Sequence, residues 1–229
     1  MRVVRRDGAL ELRVDGTFAS LYRAGTPLTG SVWDALAAPI LALPEGRRRS
    51  LLVLGLGGGS AARLARALAP RARIVGVEID ARVVALARRR LGLGELGVEV
   101  VCADAERFLA GCSERFDAVL ADVFVGPGRA VRKPDWLLAG GLARAAACVA
   151  PGGILASNAL DEAPAVERCV AAAFPRVLRI DVAEFDNRIL VGGPATLTAR
   201  SLRSAVAASA VLSPTLGNLT FRKGTDLRV

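Results

Sequence analysis

The chain contains no histidine, which excludes the most common general base and the usual Ser-His and Cys-His catalytic pairs. Its four cysteines form no Cys-x-x-Cys pair, so we expect no zinc site and no other metal centre. Scattered single cysteines are typical of small core residues in a reducing compartment. Proton transfer must therefore depend on a carboxylate, a tyrosine or water. The cysteines are Cys102, Cys112, Cys148 and Cys169.

Long apolar runs are also missing. No uninterrupted stretch is long enough to cross a bilayer, and the N-terminus, MRVVRRDGALELRVDG, carries charges where a signal peptide needs an apolar segment. We therefore expect a cytoplasmic protein with no membrane partner. Hydrophobic residues nevertheless make up 52% of the 229 residues, which is enough to build the core of one large domain.

Lysine is scarce, because all but two of the 31 basic residues are arginine and the exceptions are Lys133 and Lys223. The formal net charge of +9 would suit an anionic partner such as nucleic acid. However, arginine dispersed through alanine- and glycine-rich segments more often reflects compositional bias than a binding patch. The clusters at 47–49 and 88–90 lie at predicted element ends, where charge is ordinarily solvated. A nucleic-acid partner is the less favoured interpretation.

Strand and helix signals alternate along most of the chain, after an N-terminal segment that predicts two short strands around a turn at Asp15-Gly16. Such alternation predicts a parallel sheet covered by helices on both faces. We predict a Rossmann-like, doubly wound α/β fold with a seven-stranded sheet and a small N-terminal β-portion. Three parts are expected: the β-portion with a linker helix at 1–45, the Rossmann-like domain at 46–194, and a C-terminal helix and tail at 195–229.

The last two strands of the sheet are predicted to form an antiparallel hairpin. An irregular end is predicted to follow the final helix. Strands are predicted at 51–55, 73–78, 98–102, 117–122, 152–157, 177–182 and 188–192, and helices near 32–43, 60–69, 81–91, 105–110, 134–149, 162–173 and 198–209.

Four glycines in the stretch VLGLGGGS separate the first strand of the predicted sheet from its first helix. A glycine turn lets the backbone approach a ligand closely, and it aims N–H groups and the helix dipole at one point above the sheet. Gly55, Gly57, Gly58 and Gly59 are therefore predicted to bind a ligand with a polar or anionic edge. The alternative is that these glycines serve tight packing only.

Acidic residues follow three consecutive predicted strands. Glu78 ends the second strand about 20 residues after the glycine turn, where an acid reaches ribose hydroxyls. Asp104 follows the third strand, where it can accept a hydrogen bond from an adenine amino group, and Asp122 ends the fourth. Local roles stay open, because Asp80 and Asp104 can each cap a helix and Asp122 can simply begin a loop.

The glycine spacing is Gly-x-Gly-x-Gly, and Ser60 stands where the dinucleotide fingerprint has its third glycine. An S-adenosyl ligand accounts for the glycines and for both acids, with Ile79 and Ala105 next to them in its site. This spacing resembles the class I S-adenosylmethionine-dependent methyltransferases. The predicted cofactor is S-adenosylmethionine or its decarboxylated form.

Four stretches taken together resemble the spermidine synthase family, the polyamine aminopropyltransferases and their relatives. The resemblance covers residues 9–193, including the N-terminal β-portion. It implies that Glu78 binds ribose, that Asp104 binds adenine, and that Asp122 is the catalytic group that accepts the proton of the attacking amine. The stretches are LLVLGLGGGSAARLARAL, IVGVEIDARVVALARRRLGL, VVCADAERFL and FDAVLADVF.

The acids that hold the amine groups in that family are missing here. Ser60 and Val125 stand where the family has aspartates, Ala19 replaces a glutamine, and Val32-Trp33-Asp34 replaces a tyrosine-histidine-glutamate segment. Burying a diamine dication without opposing carboxylates is strongly unfavourable. We therefore expect the nucleoside site to be retained and the acceptor to differ, with methyl transfer favoured.

The segment VFVGPGRAVRKPDWLL after Asp122 has the glycines and prolines of a mobile cover over the site. Asp135 and Trp136 are candidate substrate contacts, although Asp135 can instead cap the following helix and Trp136 can anchor it in the core. Ser157 and Asn158 end the fifth strand and are weaker candidates for the same role.

Three functions fit these observations. The first is a methyltransferase acting on a small-molecule or protein acceptor, and the second is an aminopropyltransferase with a rearranged acceptor site. The third is a non-catalytic protein that keeps the nucleoside pocket for binding or assembly. An exposed N-terminal β-portion would also allow pairing with a second subunit as a homodimer.

Overall fold

The computed structural model describes residues 1–224, so the last five positions of the predicted tail lie outside the described residues. The chain begins with an antiparallel sheet of three strands, β1 (Arg2–Arg6), β2 (Ala9–Val14) and β3 (Thr17–Tyr22). The predicted hairpin of β2 and β3 is confirmed. The prediction omitted β1, because its sequence RVVRR has two adjacent valines rather than alternating apolar residues.

The predicted linker helix is divided in two. Helix α1 (Val32–Ala37) is followed by a 3₁₀ segment at Ala38–Ala42, which has a proline in its first turn. Because proline lacks an N–H group and clashes with the preceding turn, it interrupts a continuous α-helix. All six residues of α1 are buried, so the helix packs into the core and holds Trp33 in a fixed place.

The central sheet has eight strands in the order β11-β9-β10-β8-β7-β4-β5-β6. The strands from β4 to β8 are mutually parallel where they pair, whereas β10 and β11 run antiparallel to their neighbours. The α/β class and all seven predicted strands are confirmed. The strands are β4 (Ser50–Leu54), β5 (Arg73–Glu78), β6 (Val98–Cys102), β7 (Phe116–Ala121), β8 (Val149–Ala159), β9 (Arg176–Val182), β10 (Arg188–Gly193) and β11 (Leu219–Lys223).

Strand β11 was not predicted, and it makes the sheet eight-stranded rather than seven-stranded. It occupies the region predicted to be irregular, where it pairs with β9 at the edge of the sheet. Its sequence LTFRK has only two large apolar residues, and the partner strand determines its extended conformation. Pairing with a distant segment is a tertiary effect that a local pattern does not contain.

Six further helices cover the two faces of the sheet. The prediction of one continuous helix over 134–149 is wrong, since a π-helical turn at Leu137–Gly141 precedes α5 and Gly140 has a φ of 132°. That φ is open to glycine and breaks the regular helix. The helices are α2 (Ser60–Leu68), α3 (Ala81–Arg90), α4 (Ala105–Gly111), α5 (Leu142–Ala147), α6 (Ala163–Ala173) and α7 (Ala199–Ala208).

The core lies on both faces of the sheet. Along β4, Leu51 and Val53 join the apolar cluster on one face, and Leu52 and Leu54 join the cluster on the other. Successive strand residues point to opposite faces, which explains why a strand covered on both sides is apolar throughout. The cysteine expectation is wrong for Cys102, which is exposed on the edge strand β6. None of the helices within residues 1–224 has the length and apolarity to span a membrane.

Strand β3 of the small sheet docks directly on the glycine turn. Ser20 Oγ accepts a hydrogen bond from Gly58 N at 2.6 Å. Ser60 Oγ accepts from Leu21 N at 2.8 Å and donates to Leu21 O at 2.9 Å. The hydroxyl of Ser60 is therefore used to hold β3, which covers the N-terminal end of α2 and joins the two sheets.

Replacing Gly58 by alanine is expected to destabilise the protein by about 1–3 kcal/mol, because overpacking a tight contact forces its neighbours apart. An added Cβ would lie 2.6 Å from Leu91 Cδ1 and 2.7 Å from Ser20 Cβ. Denaturant unfolding measures the effect. The control is Gly111→Ala, whose Cβ meets nothing within 4 Å. Equal stabilities for the two variants would contradict this account of the turn.

Candidate active site

A cavity of about 680 Å³ opens at the C-terminal ends of the parallel strands. It lies where strand order reverses, because β4 is flanked by β5 on one side and by β7 on the other. Ligands bind at this place in open α/β sheets. The turn between β2 and β3 forms one wall, and the segment after β7 forms part of another.

The structure brings most of the predicted site residues into the wall of this cavity. The exceptions are Gly58 and Gly59, which pack against other parts of the protein, Asp135, which is exposed outside it, and Ser157, which is buried behind it. The predicted residues that line the cavity are Gly55, Gly57, Glu78, Ile79, Asp80, Asp104, Ala105, Asp122, Trp136 and Asn158.

The glycine turn does not offer its N–H groups to a ligand, so the expectation about their direction is wrong. All five N–H groups of residues 55–59 donate within the protein, and Gly55 is needed because a Cβ there would lie 2.6 Å from the backbone oxygen of Asp122. The glycines thus serve close packing as much as access. The acceptors are Val77 O for Gly55 and Leu56, Glu78 Oε2 for Gly57, Ser20 Oγ for Gly58 and Leu56 O for Gly59.

Glu78 is held by backbone groups on both sides. Its Oε2 accepts from Gly57 N at 2.8 Å and its Oε1 accepts from Asp80 N at 3.1 Å. Each carboxylate oxygen has a second lone pair, so the fixed carboxylate can still accept hydrogen bonds from a ligand. The side chain is half-buried and lines the cavity, as a group that binds a pair of hydroxyls must.

Asp80 and Asp104 both cap helices and both line the cavity. Asp80 accepts from Arg82 N and pairs with the Arg82 guanidinium, which lowers the pKa of the Asp80 carboxyl to about 2. Asp104 Oδ1 accepts from Glu106 N at 2.7 Å and from Arg107 N at 3.2 Å. Its Oδ2 has no hydrogen-bond partner among the described residues and is available to a ligand.

Ile79 supplies an apolar surface between these acids. It is 68% exposed, which is unusual for a large apolar side chain, and it lines the cavity. β5 and β6 are adjacent in the sheet. A planar ring packed on Ile79 would therefore lie between the carboxylate of Glu78, which ends β5, and that of Asp104, which follows β6.

Asp122 lines the cavity and directly follows β7. Its Oδ2 accepts from Trp33 Nε1 at 2.8 Å and its Oδ1 accepts from Asn158 Nδ2 at 2.8 Å. Burial raises the pKa of the Asp122 carboxyl, and the charge of Lys133 and the two hydrogen bonds oppose that rise. Asp122 therefore does more than begin a loop, because both oxygens are oriented by side chains from α1 and β8.

Lys133 lies directly behind the cavity wall and was not predicted. It is 1% exposed, and its Nζ donates to Val123 O at 2.9 Å and lies 3.7 Å from the centre of the Phe124 ring. Burial lowers the pKa of the Lys133 ammonium to about 8, against the opposing effects of Asp122 and Glu162. No local pattern distinguished it in the sequence, since Lys223 is equally rare and lies exposed on β11.

The far end of the cavity is aromatic and neutral in character. Beyond Asp122, the wall contains Phe124, Trp136, Phe185 and Asn187. Asn187 Nδ2 donates to Asn158 Oδ1 at 2.9 Å, which orients the Asn158 amide toward Asp122. Trp136 also packs against Gly141, so its two predicted alternatives, core anchor and site residue, both apply.

Two buried hydroxyls of wall residues have no partner within the described part of the chain. Ser31 is 4% exposed, and Ser31 Oγ and Thr17 Oγ1 lack hydrogen bonds among residues 1–224. An unpartnered buried hydroxyl is costly unless a ligand or water satisfies it. Either bound water or a polar group of a ligand would satisfy them.

The segment after β7 reaches across to the small sheet. Val125 and Arg132 exchange two backbone hydrogen bonds at 2.8 Å each, which closes the segment into a loop. Gly128 N donates to Asp15 O at 3.1 Å, so the tip of this loop contacts the turn between β2 and β3. The predicted cover thus adjoins the cavity and is held by this contact and by Lys133 N, which donates to Glu162 Oε1 at 2.8 Å.

Comparison with known proteins agrees with this architecture. A family described as a methyltransferase domain matches residues 51–153. A polyamine aminopropyltransferase of Mycobacterium tuberculosis is 36% identical over 172 residues, covering 69% of this chain and 30% of that protein. The chain spans less than a third of the curated relatives that it matches, with 21% coverage of a Bifidobacterium longum relative.

Solved structures resemble the fold along nearly its whole length. A probable spermidine synthase from Corynebacterium glutamicum has a TM-score of 0.76 at 18% identity, covering 97% of this chain and 86% of that one. Human methyltransferase-like protein 13, solved with S-adenosylhomocysteine, has a TM-score of 0.61 at 22% identity, covering 86% and 94%. The chain is thus a spermidine synthase-like protein with the class I S-adenosylmethionine-dependent methyltransferase fold.

Proposed function

We propose that the cavity binds an S-adenosyl donor and that the protein transfers a group from it to an acceptor beyond Asp122. The observation that carries this proposal is the arrangement of Glu78, Ile79 and Asp104 at the ends of adjacent strands, with Asp122 at the reversal point. Glu78 would accept hydrogen bonds from the ribose hydroxyls. Asp104 Oδ2 would accept from the adenine amino group, and Ile79 would cover the base.

The donor supplies a carbon made electrophilic by its bond to a sulfonium, so this chain's residues chiefly align the acceptor. Asp122 would take the proton released by an attacking hydroxyl or amine. Its raised pKa makes it a better base than an ordinary carboxylate, and Trp33 and Asn158 fix the orientation of its oxygens. The loop after β7 would help exclude water from the site.

Methyl transfer from S-adenosylmethionine to an uncharged acceptor is the first candidate. Among described residues, Asp122 is the one acid on the part of the wall formed after β7, β8 and β9, and Lys133 lies within range of its charge. A diamine needs opposing carboxylates at this end. The aromatic rings and the amides of Asn158 and Asn187 instead suit a neutral acceptor.

Aminopropyl transfer from decarboxylated S-adenosylmethionine is the second candidate, and two observations favour it. The curated relatives are polyamine aminopropyltransferases. In addition, no arginine or lysine appears among the described lining residues, so a donor carboxylate would have no cationic partner there.

Calorimetric titration with the two donors tests these proposals. We expect S-adenosylmethionine to bind with a Kd at least about tenfold below that of the decarboxylated form. The reverse preference would overturn methyl transfer in favour of aminopropyl transfer. If neither donor nor S-adenosylhomocysteine binds, the transferase proposal fails and a non-catalytic role in binding or assembly gains support.

A further inference from the structure

Lys133 places a positive charge directly behind the acceptor end of the cavity. Among residues 1–224, no other lysine or arginine is buried to the same degree. Its ammonium is fixed by the carbonyl oxygen of Val123 and the ring of Phe124, and both of these residues line the cavity next to Asp122. The charge therefore lies behind the wall, next to two residues that line it.

The acids that face this ammonium are Asp122 at the end of β7 and Glu162 at the start of α6. Glu162 Oε1 accepts from the backbone N of Lys133 at 2.8 Å, and its Oε2 has no hydrogen bond within the described chain. Asp122 is bound on both oxygens by neutral donors. Lys133 is thus the cation that offsets the charge of Asp122 in this buried region.

An amine substrate at this end of the cavity would also need the negative charge of the Asp122 carboxylate. A protonated amine that approaches Asp122 meets an acid whose field is already reduced by Lys133, and it also meets the repulsion of the ammonium itself. An uncharged hydroxyl or a neutral amine needs no opposing charge and is not repelled by the ammonium. It can still transfer its proton to Asp122. The geometry consequently discriminates between acceptors by charge.

We propose that Lys133 is a specificity-determining residue whose buried ammonium takes the place of a substrate ammonium opposite Asp122, so that the site accepts neutral acceptors and excludes diamines. This inference rests on the proposed function of the cavity as a transfer site. Diamines are thus excluded by the charge of Lys133, in addition to the absence of acids at Ser60 and Val125.

Substitution of Lys133 by methionine tests the inference as a gain of binding. Calorimetry with 1,4-diaminobutane, on protein saturated with S-adenosylhomocysteine, should show affinity for Lys133→Met at least about tenfold above wild type, since a free carboxylate attracts a nearby cation. The matched control is Lys223→Met, which removes the same charge from the exposed edge strand β11 and should leave diamine affinity unchanged. A merely structural role for Lys133 predicts no gain.

A second measurement uses the wild-type protein and does not depend on folding of a variant. Because the pKa of Lys133 is lowered to about 8, raising the pH from about 7 to 9 should remove its charge, whereas a diamine with amine pKa values near 10 stays protonated. Diamine affinity in the wild type should then rise by about tenfold, because the ammonium of Lys133 no longer repels the diamine. Lys133→Met should lose this pH dependence.

The outcomes separate the two proposals. Failure of S-adenosylhomocysteine to bind the wild type overturns the proposed function. Normal nucleoside binding with equal diamine affinity in wild type and Lys133→Met, and no rise with pH, overturns the role of Lys133 alone. Tight diamine binding by the wild type at neutral pH also overturns it.

Discussion

Asp122→Asn is expected to lower kcat by about 10²- to 10⁴-fold, which is the range associated with loss of a general base. Asparagine has nearly the same shape but cannot take the acceptor's proton. The amide also turns a donor toward either Trp33 Nε1 or Asn158 Nδ2, both of which donate to the present carboxylate. The measurement is release of S-adenosylhomocysteine or methylthioadenosine, by mass spectrometry, with an acceptor mixture that supports wild-type turnover.

The control for this variant is Asp7→Asn, which makes the same chemical change at an exposed position far from the cavity. Binding of S-adenosylhomocysteine to Asp122→Asn should change much less than kcat, because the proposed adenosine contacts lie over β5 and β6. Turnover within about threefold of the wild type would remove Asp122 from the reaction, since even weak base catalysis exceeds that factor.

Glu78→Gln is expected to weaken the binding of S-adenosylhomocysteine by about 10- to 100-fold, because hydrogen bonds to a charged group are worth about 1.5–3 kcal/mol. Glutamine keeps one acceptor, whereas the carboxylate serves Gly57 N, Asp80 N and the proposed ribose hydroxyls together. Calorimetry measures the loss, and thermal unfolding shows how much arises from the disturbed backbone contacts.

Glu99→Gln on the neighbouring strand β6 is the matched control. Glu99 is exposed and pairs with Arg73, so its replacement should leave nucleoside affinity unchanged. If Glu78→Gln binds the nucleoside as tightly as Glu99→Gln does, Glu78 serves only to hold the glycine turn. The proposed orientation of the donor would then be wrong.

The fold was predictable because its signals are local. The residues of β4 from Leu51 to Leu54 are all apolar, since both faces of the strand are covered. The acids Glu78, Asp104 and Asp122 lie at the ends of strands or within two residues after them. The exceptions have tertiary causes. β11 is extended because β9 pairs with it, and Gly140 breaks a helix whose composition alone predicts continuity.

The site was predicted in part. Local sequence identified the acids, but it also suggested that the glycine turn presents its N–H groups to a ligand. In the structure, Ser20 from a separate sheet and Glu78 from the next strand take two of those groups. Whether a donor is free depends on which distant segment packs against it, and no spacing rule contains that information.

The sequence by itself determined the alternation of strands and helices, the place where the chain turns through glycine, and the acids at the strand ends, because each depends on neighbours in the chain. Tertiary structure decided the rest. It placed Trp33 and Asn158 on the two oxygens of Asp122 and buried Lys133 nearby. It also engaged the N–H groups of the glycine turn in hydrogen bonds within the protein. These contacts join residues far apart in sequence, and the electrostatic effect of a charge depends on distance and burial, which only the folded chain defines.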